Sequence, residues 1–127
     1  MVFSGFELGV RIHTGTRLLT GQDCPASVAA NPCRQAFADF DSKNPRTDKS
    51  MWRQSWDSVT SLFAVRGPQD FETSQSGHNV VNATDGSDVW SKDAAGVRQS
   101  YLILNETTGV AALQNAIDDL ICAKPKA

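Results

Sequence analysis

The last helix-forming stretch places the strongest constraint on the fold of this chain. From about residue 108 to residue 123, apolar side chains recur at intervals of three and four, the spacing that puts residues on one face of a helix. Gln114, Asn115, Asp118 and Asp119 lie off that face. The pattern predicts an amphipathic helix whose buried face consists of Val110, Leu113, Ile117, Leu120 and Ile121.

Helical and extended patterns alternate along the rest of the chain. A buried strand is predicted at residues 2–6, followed by a glycine-weakened helix up to about Leu19. Pro32 opens a second helix, and Ser55-Trp56-Asp57 opens a third that must end near Gly67-Pro68. Strands are predicted near Phe71, at Val80-Val81 and at residues 101–104, with a turn at Asp85-Gly86. This order predicts an α/β fold that forms one unit over residues 1–127.

The charge balance excludes some classes of partner. Twelve basic and 14 acidic residues give a net charge of −2, which offers no electrostatic reason to bind a nucleic acid. Apolar runs stay well short of the roughly 18 residues that a membrane span needs. We therefore expect no nucleic-acid partner and no membrane partner.

The three cysteines leave the compartment open. Cys24 and Cys33 are close enough along the chain to form a disulfide, while Cys122 falls on the last helix. The alternative is three ordinary thiols in a reducing compartment, which we favour. No signal peptide opens the chain, and a cytoplasmic location is slightly preferred. Asn82-Ala83-Thr84 and Asn105-Glu106-Thr107 match the N-glycosylation pattern, which matters only on a secretory route.

Asp57 is the clearest candidate for a chemical role. A carboxylate at the start of a helix can satisfy unpaired backbone N–H groups and interact favourably with the helix dipole. It can also serve as an oxygen ligand for Ca²⁺, although Ca²⁺ takes six to eight oxygens and one Asp does not supply them. Spacing alone favours the capping role. His13 and His78 are far apart in sequence and are interpreted as structural.

Several segments together carry a resemblance to a known family. The residues SWDSVTSLFAVRG, from Ser55 to Gly67, resemble the helix that begins with a metal-binding Asp in the inosine/uridine-preferring nucleoside hydrolases. The segments FSGFELG at residues 3–9, NPCRQAF at residues 31–37 and HNVVNATDGSDVW at residues 78–90 are similar to other parts of the C-terminal half of that family. The matches occur in the family's order.

The resemblance implies a fold, a cofactor and site residues. The fold would be the C-terminal portion of a nucleoside hydrolase-like mixed sheet with flanking helices, as a single partial domain. The family hydrolyses the N-glycosidic bond of ribonucleosides with a bound Ca²⁺, and the match makes Asp57 a metal ligand. Trp56 stands where the family often has a His; it could stack on a substrate base or brace the start of the helix. Glu7 is interpreted as structural or as a support for the site.

One part of the family's pattern is missing, and this changes the function that we expect. The Asp-rich N-terminal motif that supplies most metal ligands in the family does not occur in this chain. We therefore expect a truncated or split nucleoside hydrolase-like protein, inactive alone and completed by an N-terminal partner segment or a homo-oligomer, with a ribonucleoside as substrate. The alternative is a non-catalytic protein-interaction module that keeps the subdomain scaffold. A third possibility is an incomplete gene product with no independent role. Because a chain with half of the family core leaves its sheet partly uncovered, we expect an exposed apolar patch or a free sheet edge.

Overall fold

Helices and short strands alternate in a computed structural model that describes residues 1–45, 51–68, 71–73, 77–92 and 98–124. In chain order the elements are β1 (Val2–Phe3), α1 (Phe6–Val10), β2 (His13–Thr14), α2 (Thr16–Thr20), α3 (Pro32–Lys43), β3 (Arg53–Gln54), α4 (Trp56–Arg66), β4 (Phe71–Thr73), β5 (His78–Val81), β6 (Asp88–Ser91), β7 (Ser100–Leu104) and α5 (Gly109–Cys122).

Strand β7 is the centre of a three-stranded mixed sheet. β1 runs parallel to β7, with Val2 opposite Ser100, and β4 runs antiparallel on the other side, with Phe71 opposite Leu104. Two smaller antiparallel ladders join β2 to β3 and β5 to β6. Small sheets combined with helices confirm the general α/β class that the element order predicts.

The main core lies where α1, α4 and α5 meet the three-stranded sheet. Burying each of its large aliphatic side chains stabilises the fold by roughly 1.5–3 kcal/mol. Its buried members are Leu8, Ile12, Val59, Leu62, Phe71, Leu102, Leu104, Leu113 and Ile117. A second, smaller cluster contains Leu18, Cys24, Ala26 and Cys122.

The three longer helices confirm their predictions, which for α3 and α4 were made from the signals at their ends and for α5 from its apolar spacing. Asn31 caps α3, because its side-chain oxygen accepts hydrogen bonds from the backbone of Cys33 and Arg34. Gly67 ends α4 with a φ of 78°. The turn at Asp85-Gly86 is also confirmed, with Gly86 at a φ of 74°. In the part of the chain that the structure describes, no helix combines the length and apolarity needed to cross a membrane.

The N-terminal segment differs from its prediction. The first strand ends at Phe3, and α1 begins at Phe6 within the stretch predicted to be extended. A single weak helix up to Leu19 is also wrong, because β2 separates α1 from α2. Gly15, at a φ of 98°, supplies the left-handed residue that turns the chain from β2 into α2.

Helix α5 uses a second face that its apolar pattern does not reveal. Leu120, predicted to be buried, is 54% exposed, whereas Asp118, predicted to lie off the buried face, is only 8% exposed. The reason is a polar stripe on α5, with Gln114, Asp118 and Cys122 four residues apart, that faces residues 13–26. The backbone N–H groups of His13 and Gly15 donate to Gln114 and Asp118, at 3.2 and 2.8 Å.

A disulfide between Cys24 and Cys122 closes this contact at the end of α5. The backbone N–H of Ala26 donates to the carbonyl of Cys122 beside it. Cys33 is exposed and unpaired. Both interpretations of the cysteines are therefore wrong: the bridge does not join Cys24 to Cys33, and the three are not all free thiols. Cys122 lies on a helix, but the polar stripe brings that helix against the Cys24 loop.

Breaking the disulfide should lower stability substantially. The bridge joins residues 98 apart in sequence, so its loss frees a long loop in the unfolded chain. We expect Cys24→Ser or Cys122→Ser to lower the free energy of unfolding by about 2–4 kcal/mol in urea titrations. Cys33→Ser is the matched control and should leave it unchanged.

The same variants identify the bridge chemically. Trypsin leaves Cys24 and Cys33 together on residues 18–34, so an unreduced digest alone does not distinguish them. The disulfide link between this peptide and the peptide that contains Cys122 should persist in Cys33→Ser and disappear in Cys24→Ser. Persistence of the link in Cys24→Ser would contradict the pairing.

The buried carboxyl of Asp118 should make stability depend on pH. Burial raises its pKa above the ordinary value of 3.8, although the Gly15 N–H and the positive charge of Arg17 oppose the rise. The folded state therefore binds more protons than the unfolded state, and this group's contribution to stability falls as pH rises from about 3.8 through the folded pKa. Asp118→Asn keeps an acceptor for Gly15, so its stability relative to the wild type should increase over that range.

The measurement is a series of urea titrations across this pH range, in which two other variants serve as comparisons. Asp118→Ala leaves the buried Gly15 N–H without its acceptor and should cost about 1–3 kcal/mol. Asp119→Asn removes an exposed ion pair to Arg17, at 2.5 Å, which should cost about 0–1 kcal/mol. It also removes a negative charge that helps to raise the pKa of Asp118, so the pH dependence should weaken slightly. A stability difference between Asp118→Asn and wild type that does not change with pH would show that this carboxyl titrates normally.

Candidate functional site

The start of α4 is fixed by contacts from two N-terminal elements. The backbone N–H of Ser55 donates to the carbonyl of Gly9 at 3.2 Å. The hydroxyls of Ser55 and Thr14 share a buried hydrogen bond of 2.5 Å. Both residues are almost fully buried, where a hydrogen bond is costly to lose. These bonds hold the first turn of α4 against α1 and β2.

Trp56 completes this junction by packing on α1. Its indole N–H donates to the carbonyl of Phe6 at 2.8 Å, and the two rings lie 5.3 Å apart between centroids. Gly9 permits the contact, since a Cβ on it would lie 2.4 Å from the indole ring and 2.5 Å from the Trp56 Cα. The half-buried Trp56 therefore braces the helix start, which is one of its two predicted roles. Stacking on a substrate base stays a prediction.

Asp57 lies in the first turn of α4 with its side chain exposed. Its position lets a carboxylate interact favourably with the helix dipole. Among the residues that the structure describes, no hydrogen bond or ion pair involves this carboxylate. Within that part of the chain the carboxylate therefore accepts no backbone hydrogen bond as a cap would, and of the capping interpretation only the interaction with the helix dipole is left. Its oxygens are available, as a metal ligand requires.

An open apolar groove of about 460 Å³ begins beside Asp57 and runs between α4 and α5. Val65 and Leu120, which are 84% and 54% exposed, are on its walls. Trp56 packs on α1 instead and is not among the groove's lining residues. The full lining is Asp57, Ser58, Ser61, Leu62, Val65, Arg66, Ile117, Leu120 and Ile121.

A second cavity, of about 290 Å³, contains Glu7 and was not anticipated from the sequence. It places the carboxylates of Glu7 and Asp88 among aromatic rings, where Trp90 contacts Phe3 and Tyr101 edge to face. Of these two carboxylates, only Glu7 carries a sequence-based expectation, that of a structural or supporting role. No local signal joins them, because Glu7 lies on α1 and Asp88 on β6, two elements that are far apart in sequence. The remaining lining residues are Ser4, Gly5, Asn79 and Val89.

The described residues do not assemble a metal site on their own. No group of three or more His, Cys, Asp or Glu side chains able to hold a metal ion occurs among them. His13 stacks on Trp52 at 3.5 Å between ring centroids, and its Nε2 lies 3.1 Å from the carbonyl of Val10. That packing agrees with a structural role for His13.

Comparison with known proteins adds no relative. No family model matches the chain, and no curated protein or solved structure is significantly similar to it.

Enlarging Gly9 should disturb the start of α4. In Gly9→Ala the new methyl group would overlap Trp56, including its backbone, so the two helices must move apart. We expect the free energy of unfolding to fall by about 1–3 kcal/mol, although alanine is the better helix former. Ser58→Ala, on the exposed side of α4, is the control and should change stability by less than about 0.5 kcal/mol. Equal urea midpoints for Gly9→Ala and wild type would contradict the close contact.

Proposed function

We propose that this chain supplies part of a nucleoside N-ribohydrolase site, with Asp57 as one of several carboxylates that hold Ca²⁺. The observation that carries the proposal is the placement of Asp57. Its carboxylate is exposed, while the backbone beneath it is held by Ser55, Gly9 and Thr14. A metal ligand needs this combination of a fixed backbone and available oxygens.

The residues described here do not fit Ca²⁺ by themselves. The ion takes six to eight oxygen ligands, and Asp57 offers at most two. In this proposal the remaining ligands come from a second segment or chain that carries the Asp-rich motif of nucleoside hydrolases, or from a second copy of this chain. The proposal therefore assigns Asp57 a share of the site and predicts no ribohydrolase activity for the chain alone.

Trp56 has a positioning role in this proposal and offers a ring surface to the substrate. Its N–H is already bonded to Phe6, and an indole does not act as a general acid near neutral pH. The half-buried ring can still stack on a purine or pyrimidine through its accessible part. Protonation of the leaving base therefore has to come from another group.

The apolar groove supports the need for a second segment. Val65 and Leu120 are large aliphatic side chains on adjacent helices, and their exposure in the groove that begins at Asp57 leaves a surface that association can bury. A segment packed in this groove would bring its own residues next to Asp57. The groove also supports the second candidate function, a non-catalytic interaction module, which needs the groove but not the carboxylate.

A single-chain fusion tests the proposal. The Asp-rich N-terminal half of a characterised inosine/uridine nucleoside hydrolase is joined by a flexible linker to the N-terminus of this chain. We expect Ca²⁺-dependent release of base from inosine or uridine, measured by chromatography, and Ca²⁺ binding measured by calorimetry. Asp57→Asn should lower activity by on the order of 100-fold or more, since a catalytic metal contributes several kcal/mol.

The controls separate the two candidate functions. Asp39→Asn, an exposed carboxylate on α3, should leave activity within about threefold of the parent fusion, as expected for a surface change. The isolated chain should show no binding of Ca²⁺ at micromolar concentration. A folded fusion without activity, or with activity indifferent to Asp57→Asn, would overturn the hydrolase proposal and leave the interaction module.

A further inference from the structure

The turn between β5 and β6 presents an acceptor sequence for a sugar chain. Asn82 opens the turn: its backbone N–H donates to the carbonyl of Ser87 at 2.7 Å, and its own carbonyl accepts from Gly86 at 2.9 Å. All residues from 82 to 89 are exposed. The turn is thus closed by its own backbone, and a substituent on Asn82 displaces no core contact.

The side chain of Asn82 is held next to the threonine that completes the acceptor sequence. Its Oδ1 accepts a hydrogen bond of 2.9 Å from the backbone N–H of Thr84. The three residues Asn82, Ala83 and Thr84 fit the pattern Asn-x-Thr, in which x is not proline. A sequence match alone occurs often by chance, so a second observation is needed to give it weight.

The disulfide between Cys24 and Cys122 is that second observation. Structural disulfides form and persist in oxidising compartments such as the lumen of the endoplasmic reticulum and are rare in the cytosol. The same lumen carries the machinery that transfers oligosaccharides to asparagine. The disulfide therefore also counts against the cytoplasmic location that the sequence slightly favoured.

We propose that Asn82 is an N-glycosylation site, modified when the chain passes through a eukaryotic secretory compartment. In the transfer, Nδ2 of Asn82 forms a bond to the anomeric carbon C1 of an oligosaccharide carried on a lipid diphosphate. The bond between C1 and the diphosphate oxygen breaks, the lipid diphosphate leaves with the electron pair, and Nδ2 loses one proton. The product is an amide-linked glycan at the tip of the β5–β6 turn.

The second acceptor sequence occupies a different environment. Asn105 is half-buried between β7 and α5, and its Oδ1 accepts from the backbone N–H groups of Thr107 and Thr108 at 3.1 and 3.2 Å. Its carbonyl also accepts from Gly109, the first residue of α5. Asn105 thus holds the start of a core helix, whereas Asn82 has no such task. This contrast makes Asn82 the acceptor and the Asn105 sequence a matched control.

The test is to secrete the full chain from a eukaryotic host behind a cleavable leader and to treat it with a peptide-N-glycosidase in ¹⁸O water. Tryptic residues 67–92 contain Asn82 but not Asn105. We expect wild type to show a glycan-sized mobility shift that the enzyme removes, and this peptide to carry an ¹⁸O-labelled Asp at position 82. Thr84→Ser should keep the shift, and Thr107→Ala should leave it unchanged.

Two variants remove the acceptor in different ways. Asn82→Gln removes the nucleophilic amide position, and Thr84→Ala leaves Asn82 in place but removes the hydroxyl of the acceptor sequence; both should abolish the shift. A wild-type chain secreted without a glycan would overturn the proposal. A shift that persists in both variants, or one lost only in Thr107→Ala, would overturn it equally.

Discussion

The polar stripe of α5 is the contact on which the arrangement of the N-terminal half depends. Gln114, Asp118 and Cys122 lie four residues apart and so share one helical face. The first two accept hydrogen bonds from the backbone of His13 and Gly15, and the third is covalently bound to Cys24. These partners follow one another in the same order along the chain. Residues 13–24 are therefore aligned along α5 by specific contacts, which nonspecific apolar burial cannot achieve.

This alignment extends to the start of α4. β2 is held on one side by Gln114 and pairs on the other with β3, the strand that leads directly into α4. Thr14 of β2 then bonds the hydroxyl of Ser55, the residue before α4. A buried polar network of this kind favours one arrangement, because each unpaired member would incur a desolvation cost. The position of Asp57 thus depends on contacts that begin at the far end of the chain.

Local signals in the sequence were sufficient for the longer helices and for one turn. Asn31-Pro32 starts α3, Gly67 ends α4 and Gly86 takes the left-handed conformation in the β5–β6 turn, because each requirement is met within a few residues. The contacts of Asp118, Cys122 and Glu7 were not predictable, since their partners are distant in sequence. For Asp118 the apolar spacing predicted an exposed position, whereas the residue is buried. A spacing of four between Gln114, Asp118 and Cys122 was the one available hint.

The two proposed sites impose different physical requirements and occupy separate elements. A metal ligand at Asp57 needs a backbone that does not move, and the start of α4 is held by buried hydroxyls and the close contact of Trp56 with Gly9. A glycan acceptor needs an exposed segment that is held by hydrogen bonds within the segment itself, as in the turn at Asn82. The disulfide bears on both sites, because it helps to align residues 13–24 on α5 and is a type of bond that persists in oxidising compartments. In such compartments Ca²⁺-binding modules function with affinities of about 10⁻⁴–10⁻³ M, so a Ca²⁺ site shared between two segments need not bind the ion tightly.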